Sequence, residues 1–279
     1  MRMSFAVLTS AALLAFVPGV LAQTAPNASS AGIMRTSDGQ PDFSGFWVSG
    51  GGGGQTQVSV FQGGEAPRAP TRIELAEALP FTPEGRRLVE QYTSTDGEWA
   101  GETGVFDDAG HHAVPCGPES PGDLGPPVEI VQNPARLLMV YTGGDTKWIR
   151  QVWIGREHPE DLTNYEPVWM GHSVGRWEGD TLVVDTVRMT TTPGHMADFD
   201  TAAPQGPDFR LIERISLAPD QRLHIEKTLE DPDMYVRPWT KSEVLRKETN
   251  WDDVAFAWEI SEQHLVCEGG RYPSDNDPY

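Results

Sequence analysis

The sequence predicts a mainly β fold, an antiparallel meander closing into a barrel, with one short helix and long N-terminal loops. Three observations carry this. From Val128 onward, seven short β-like runs follow one another across short turns, at 128–132, 136–142, 147–154, 181–189, 209–217, 222–229 and 235–246. The run 209–217 shows the period-2 alternation of a half-buried strand well, with Phe209, Leu211, Ile215 and Leu217 sharing one face with Glu213. Only one stretch carries clear helix signals. Sequential strands with few helices argue for a barrel or a sandwich.

The elements follow in order. Arg2, the uncharged apolar run from Phe5 to Val17 and the small-residue site Val20-Leu21-Ala22 read as a signal peptide over 1–22. That run is too short to span a membrane. The protein is therefore expected to be exported, to the periplasm or the cell exterior. Residues 23–40, rich in Ala, Ser, Thr, Asn and Gly, read as a disordered lead-in, and 41–279 as a single barrel-like domain. Asp42-Phe43-Ser44-Gly45-Phe46-Trp47 is the first apolar cluster. The five glycines after it lack the strand–helix context of a phosphate loop and read as a flexible loop. Thr82-Pro83-Glu84 begins the helix: Thr82 caps, Pro83 suits the first turn and Glu84 complements the dipole, with an end near Tyr92. Residues 93–127 form a long irregular segment. Among the strands, Gly143-Gly144-Asp145 is a hairpin turn and Ala218-Pro219-Asp220 reverses the chain.

Composition narrows the function classes. The net charge is −20, and −21 once Arg2 is removed with the signal peptide. A field of that sign repels nucleic acid and anionic lipid, so neither is an expected partner. Its simplest role is to keep an exported protein soluble. Two cysteines, Cys116 and Cys267, in an oxidising compartment suggest one disulfide. Without spaced histidines beside them they make a poor zinc signature.

Several residues are candidates for chemistry. Glu213 sits in the middle of an apolar strand face, where a carboxylate is costly unless paired or protonated. If Leu217 pairs with Leu223, Glu213 faces Lys227, either as a structural ion pair or as a tuned carboxylate lining a cavity. His172 lies in a glycine-flanked stretch that reads as a loop at a barrel mouth, and His158 lies at a strand end. Either imidazole suits general acid–base work near neutral pH. Asp185 lies among valines, with Arg150 as its natural counter-charge. His111-His112 and His195 sit in polar loops without a spaced third ligand, so no metal is expected. Gly171-His172-Ser173-Val174-Gly175 matches the nucleophile-elbow pattern letter by letter, but the residues after it read as turn and strand rather than the required helix. Nine tryptophans are many for one exported chain. Trp169, Trp177 and Trp239, with Tyr235, sit near the predicted turns, where they either fill the core or line a site for a flat apolar ligand.

The stretch Trp169-Met170-Gly171-His172-Ser173-Val174-Gly175-Arg176-Trp177-Glu178-Gly179-Asp180-Thr181-Leu182-Val183-Val184-Asp185-Thr186 is the longest of four marks. The others are the opening Asp38-Gly39-Gln40-Pro41-Asp42-Phe43-Ser44-Gly45-Phe46-Trp47, then His158-Pro159, then Glu213-Arg214 with Asp231-Pro232 and Pro238-Trp239. On these marks the chain resembles a widespread family of uncharacterised exported bacterial proteins, over most of its mature length. The resemblance implies, by analogy, a lipocalin-like barrel. The chain departs from the family pattern at Gly206-Pro207-Asp208-Phe209-Arg210-Leu211, at Lys227, where an apolar residue is usual, and in the insertion-like run 190–205.

These readings lead to a cofactor-independent lyase, hydratase or isomerase acting on a small apolar or aromatic compound in the barrel cavity. In that expectation His172 or His158 moves a proton, Glu213 or Asp185 orients or shares it, and Trp169, Trp177, Tyr235, Trp239, Lys227 and Arg150 hold the substrate. A non-catalytic binder of such a molecule is the alternative, and a metal-dependent hydrolase the third.

Overall fold

The structure, a computed structural model, describes residues 32–50, 57–58, 77–92, 122, 124–142, 147–191, 196–198, 201 and 203–260. The expected signal peptide, Cys116, Cys267, His111, His112, His195 and the turn at 143–145 lie outside these residues.

The chain is mainly β. Its strands are β1 (Gly45–Ser49), β2 (Gln57–Val58), β3 (Val128–Asn133), β4 (Arg136–Tyr141), β5 (Trp148–Ile154), β6 (His172–Glu178), β7 (Thr181–Val187), β8 (Met196–Asp198), β9 (Ala203–Pro204), β10 (Arg210–Leu217), β11 (Leu223–Glu230) and β12 (Trp239–Glu248). Helix α1 (Pro83–Tyr92) precedes β3, and a second helix, α2 (Trp251–Ile260), which the sequence reading did not anticipate, follows β12. Thr82 caps α1 as expected, its Oγ1 accepting from the Gly85 N–H at 3.0 Å.

The large sheet runs β1-β3-β4-β5-β6-β7-β10-β11-β12, and β12 pairs back onto β1 from Ser49↔Leu245 to Phe46↔Glu248. The barrel is therefore closed, with β2 an appendage on β12. Nine strands form the ring, the ten of the sheet less β2. Strand directions cannot alternate all the way around an odd ring. The one parallel pair is β5–β6, in the register Val152↔Ser173. A parallel pair needs a crossover of a dozen residues or more. Residues 155–171 supply it and run as a strap from the end of β5 to the start of β6. The expected meander is thus antiparallel except at this step.

His172–Glu178 is a strand and not the expected loop. Gly171 just before it and Gly175 within it masked it in the sequence. Gly175 faces inward, and a Cβ there would lie 3.1 Å from Val152 Cγ1 and 3.2 Å from Leu182 Cδ1, so the glycine serves packing rather than a turn.

Period-2 alternation sets the inner face. Leu211, Glu213, Ile215 and Leu217 of β10 are buried, opposite Leu229, Lys227, Ile225 and Leu223 of β11, in the expected register. One apolar cluster fills most of the barrel, from Trp47 and Ile130 across Leu137, Met139 and Val152 to Leu182, Ile215 and Leu245. Each fully buried Leu or Ile stabilises the fold by roughly 1.5–3 kcal/mol. A second cluster around Tyr235, Trp239, Phe209 and Leu211 closes one end beneath Phe81 and Leu88.

Candidate functional site

The barrel wall is one residue thick, and its alternation sorts the candidate residues onto two faces. Ser173 pairs with Thr186, and Thr186 with Leu211, so all three point inward with Glu213. His172 and Asp185, each one residue away, point outward.

Arg150 and Glu213 are fully buried on the inside. One Arg150 Nη2 donates to Glu213 Oε2 and, at 2.7 Å, to Thr186 Oγ1. Arg150 Nε donates to Ser173 Oγ at 3.3 Å, and the two hydroxyls share a bond of 2.9 Å. Burial opposes the arginine's charge, but Glu213 and the nearby Tyr141 outweigh it and hold the guanidinium charged. The expected Asp185–Arg150 pair does not form. Asp185 follows the inward Val184 and therefore faces away from Arg150.

Lys227 stands opposite Glu213, as the register predicted, but its salt bridge is to Glu243 at 2.8 Å. Its other donors reach the carbonyls of Leu124 at 2.8 Å and Gly122 at 3.3 Å. Lys241 pairs with Asp198, whose Oδ2 also accepts from the Thr201 N–H at 3.1 Å. Burial would raise the Asp198 pKa, yet Lys241 and Thr201 hold it below the usual carboxylate range. Each of the three fully buried cations, Arg150, Lys227 and Lys241, thus has its own carboxylate, as charges in a dry interior require.

On the outer face His158 and His172 meet, Nδ1 to Nδ1, at 2.8 Å. Two imidazoles at that distance hold a single proton between them, because two facing N–H groups would repel. His158 Nε2 is buried without a hydrogen-bond partner and lies 3.6 Å from Asp185 Oδ2. Asp185 is gripped by Arg210, whose Nε and Nη2 donate to its two oxygens at 2.8 and 2.6 Å. Arg210 in turn stands across from Glu230, at 3.6 Å. Partial burial would raise the Asp185 pKa, but Arg210, with smaller help from His158 and Arg176, holds the carboxyl below its ordinary range. Burial, and then the neighbouring His158, push the His172 imidazole below its ordinary value. His172 is therefore neutral at physiological pH, a state in which it accepts a proton.

The strap brings His158 to this place. Asp161 caps the 3-10 turn Leu162–Asn164, accepting from the Thr163 N–H at 3.0 Å. Arg188 clamps the strap by donating to the Tyr165 carbonyl from Nε at 3.0 Å and Nη2 at 2.5 Å. Arg188 itself has φ of 60°, a left-handed conformation that is costly for a non-glycine residue. Val168 N–H bonds to the Arg188 carbonyl at 3.1 Å, and Gly171, with φ of 63°, turns the chain into β6. Tyr165 sets its ring edge toward His172, with centroids 5.9 Å apart.

The four residues expected to move protons are therefore divided. His172, His158 and Asp185 come together outside, and Glu213 stands inside with Arg150 and Lys227. Of the aromatics, Trp169 lies in the strap's last turn. Trp177 points inward and packs on Phe43 at 5.5 Å. Tyr235 and Trp239 are buried in the cluster that closes the barrel end, Tyr235 donating to the Pro204 carbonyl at 2.6 Å. Ser173 lies inside a strand with its hydroxyl bound to Arg150 and Thr186, so the elbow pattern here is a coincidence of letters. Among the described residues no three His, Cys, Asp or Glu side chains are placed to hold a metal ion. Sequence reading missed Arg210, Tyr165, Glu243 and Asp198. Arg210 was accessible in principle, since it shares the outward parity of Ile212, which pairs with Asp185. Tyr165 was not, because its position depends on the strap's path.

No protein-family model matches the chain, and no curated protein matches it.

Proposed function

We propose that the protein is a cofactor-independent acid–base catalyst, of the lyase, hydratase or isomerase kind, working at the outer-wall pair His172–His158. The observation that carries this is the 2.8 Å contact between the two Nδ1 atoms, backed by Asp185. In the resting arrangement His172 Nδ1–H donates to His158 Nδ1, and the His158 Nε2–H faces Asp185. His172 Nε2 then holds the free lone pair. When it takes a proton from substrate, His172 passes its Nδ1 proton to His158, whose imidazolium is stabilised by the Asp185 carboxylate. Reversal of these two transfers returns the proton to another atom of the substrate in an isomerase, or to the departing group in a lyase.

The substrate class that fits is a small apolar or aromatic compound. Tyr165 and Val168, 46% and 53% exposed, present apolar surface on the strap beside the pair. Reading the chain as exported, with Cys116 and Cys267 joined and with the resemblance to exported bacterial proteins, belongs to the same proposal. It rests on the N-terminal pattern, the even cysteine count and the long motif.

The test is product analysis on purified protein incubated with a panel of aromatic and terpenoid compounds. Loss of a general base costs about 10²–10⁴-fold in turnover, so His172→Ala and His158→Ala should each show a loss on that scale. Turnover that survives both substitutions removes the assignment. Tight binding of an unchanged compound favours the non-catalytic binder, and activity that disappears with a chelator favours a metal-dependent hydrolase.

A further inference from the structure

The barrel interior holds a polar pair that is only half used. Arg150 and Glu213 touch through one nitrogen and one oxygen. The second nitrogen, Nη1, and the second oxygen, Oε1, are buried and have no hydrogen-bond partner. Tyr141 approaches the guanidinium, but its hydroxyl donates to Met139 Sδ at 3.7 Å and does not satisfy Nη1. A buried donor or acceptor left unmade costs about 1–3 kcal/mol, and more when charged. An arrangement with one of each, on neighbouring residues of one ion pair, calls for a partner that both donates and accepts.

The surroundings restrict what that partner is. Arg150 and Glu213 compensate one another, and Lys227 and Lys241 each have their own carboxylate. A further net charge would enter this dry interior uncompensated, so the partner is neutral. A hydroxyl is the smallest neutral group with one hydrogen to give to Glu213 Oε1 and lone pairs to accept from Arg150 Nη1. Apart from Ser173, Thr186, Tyr141 and Lys227, what lies beside the pair is apolar. Met139 is the cross-strand neighbour of Arg150, Val184 that of Glu213, and Val152, Leu211 and Ile215 flank them on the same face. We infer that the barrel lumen is a second binding site, distinct from the outer histidine pair, that takes the hydroxyl of a small neutral apolar molecule, an alcohol or a phenol, between Arg150 Nη1 and Glu213 Oε1.

The histidine pair plays no part in this site, so the two readings fail separately. Phenol and benzene are the probes, since they differ by the hydroxyl alone. Binding is followed by the fluorescence of the inward tryptophans and by crystals soaked with each. The expected result is that phenol binds at least 10-fold more tightly than benzene, with its oxygen between Arg150 and Glu213. His172→Ala should leave that ratio unchanged, and the paired substitution Arg150→Met with Glu213→Leu, which removes both polar partners while keeping the interior neutral, should bring it to about one. Equal binding of the two probes, no binding of either, or a water alone bridging Nη1 and Oε1 in phenol-soaked crystals would each overturn the inference. If the paired variant does not fold, the phenol-to-benzene ratio and the soaked crystals of the unaltered protein decide.

Discussion

Glu213→Gln should be among the most damaging single substitutions in the barrel. The carboxylate is fully buried, and it is the only anion bonded to an equally buried Arg150 among the described residues. Replacing it by an amide of nearly the same shape leaves a guanidinium uncompensated inside the barrel. Arginine cannot relieve this by losing its proton. Breaking one side of a buried pair costs about 3–5 kcal/mol. In a domain of this size each kcal/mol lowers Tm by roughly 2–4 °C, so the expected fall is on the order of 10 °C. Arg150→Met should cost a similar amount, because it strands the carboxylate and the Ser173 and Thr186 hydroxyls. The double variant Arg150→Met with Glu213→Gln removes both charges and should recover much of the loss. The assay is urea unfolding of the four proteins as a double-mutant cycle, with a coupling of about 2 kcal/mol or more expected. Additive losses, or a Glu213→Gln variant within 1 kcal/mol of the parent, would show that the pair is solvated and that the charge logic of the interior is wrong.

Three further outcomes are expected. Because the folded His172 holds a pKa below its unfolded value, the unfolded chain binds more protons as pH falls; this contribution is complete above about pH 6.5 and declines below it, whereas Asp185, held low in the fold, loses its contribution only as pH falls through its own depressed pKa. A scan of Tm against pH should therefore lose its first acid step in His172→Gln and keep the second. Gly171→Ala places a Cβ 2.7 Å from the Val187 carbonyl oxygen at a residue with φ of 63°, so chemical denaturation should report a loss of about 1–2 kcal/mol from the backbone conformation, increased by the clash. Thiol labelling of unfolded, non-reduced protein should find both Cys116 and Cys267 blocked, and two reactive thiols would refute the disulfide.

Much of the barrel was legible because its strands carry period-2 patterns and its turns carry Gly, Pro and Asp. The pairing of Leu217 with Leu223, and hence of Glu213 with Lys227, followed from counting back from one turn. β6 was illegible for a physical reason. Its inward positions are Ser173, Gly175 and Trp177, two of them small because Val152 and Leu182 crowd the wall there, so no apolar alternation announces a strand. The ion pairs were misassigned for another. Charge and proximity in sequence suggested Asp185 with Arg150, but a strand residue's face is fixed by parity, and Val184 next to Asp185 is the one that points inward. The strap could not be placed at all, since a crossover's path is set by tertiary contacts such as Arg188 on Tyr165 and not by local pattern.

The long motif from Trp169 to Thr186 therefore does two separate things with adjacent residues. His172 and Ser173 are consecutive, yet one faces the strap and the other the lumen. Substituting each should separate the two roles. Ser173→Ala removes an acceptor from Arg150 and should cost about 1–3 kcal/mol of stability while leaving the outer histidine contact, and any turnover that depends on it, intact. His172→Ala should do the reverse, with little change in unfolding at neutral pH and a large loss of turnover. A common effect of both on activity would mean that the chemistry takes place inside the barrel after all, and that Glu213, not the histidine pair, is its centre. The alternation of a single strand thus turns the choice between an outer and an inner active site into two point substitutions one residue apart.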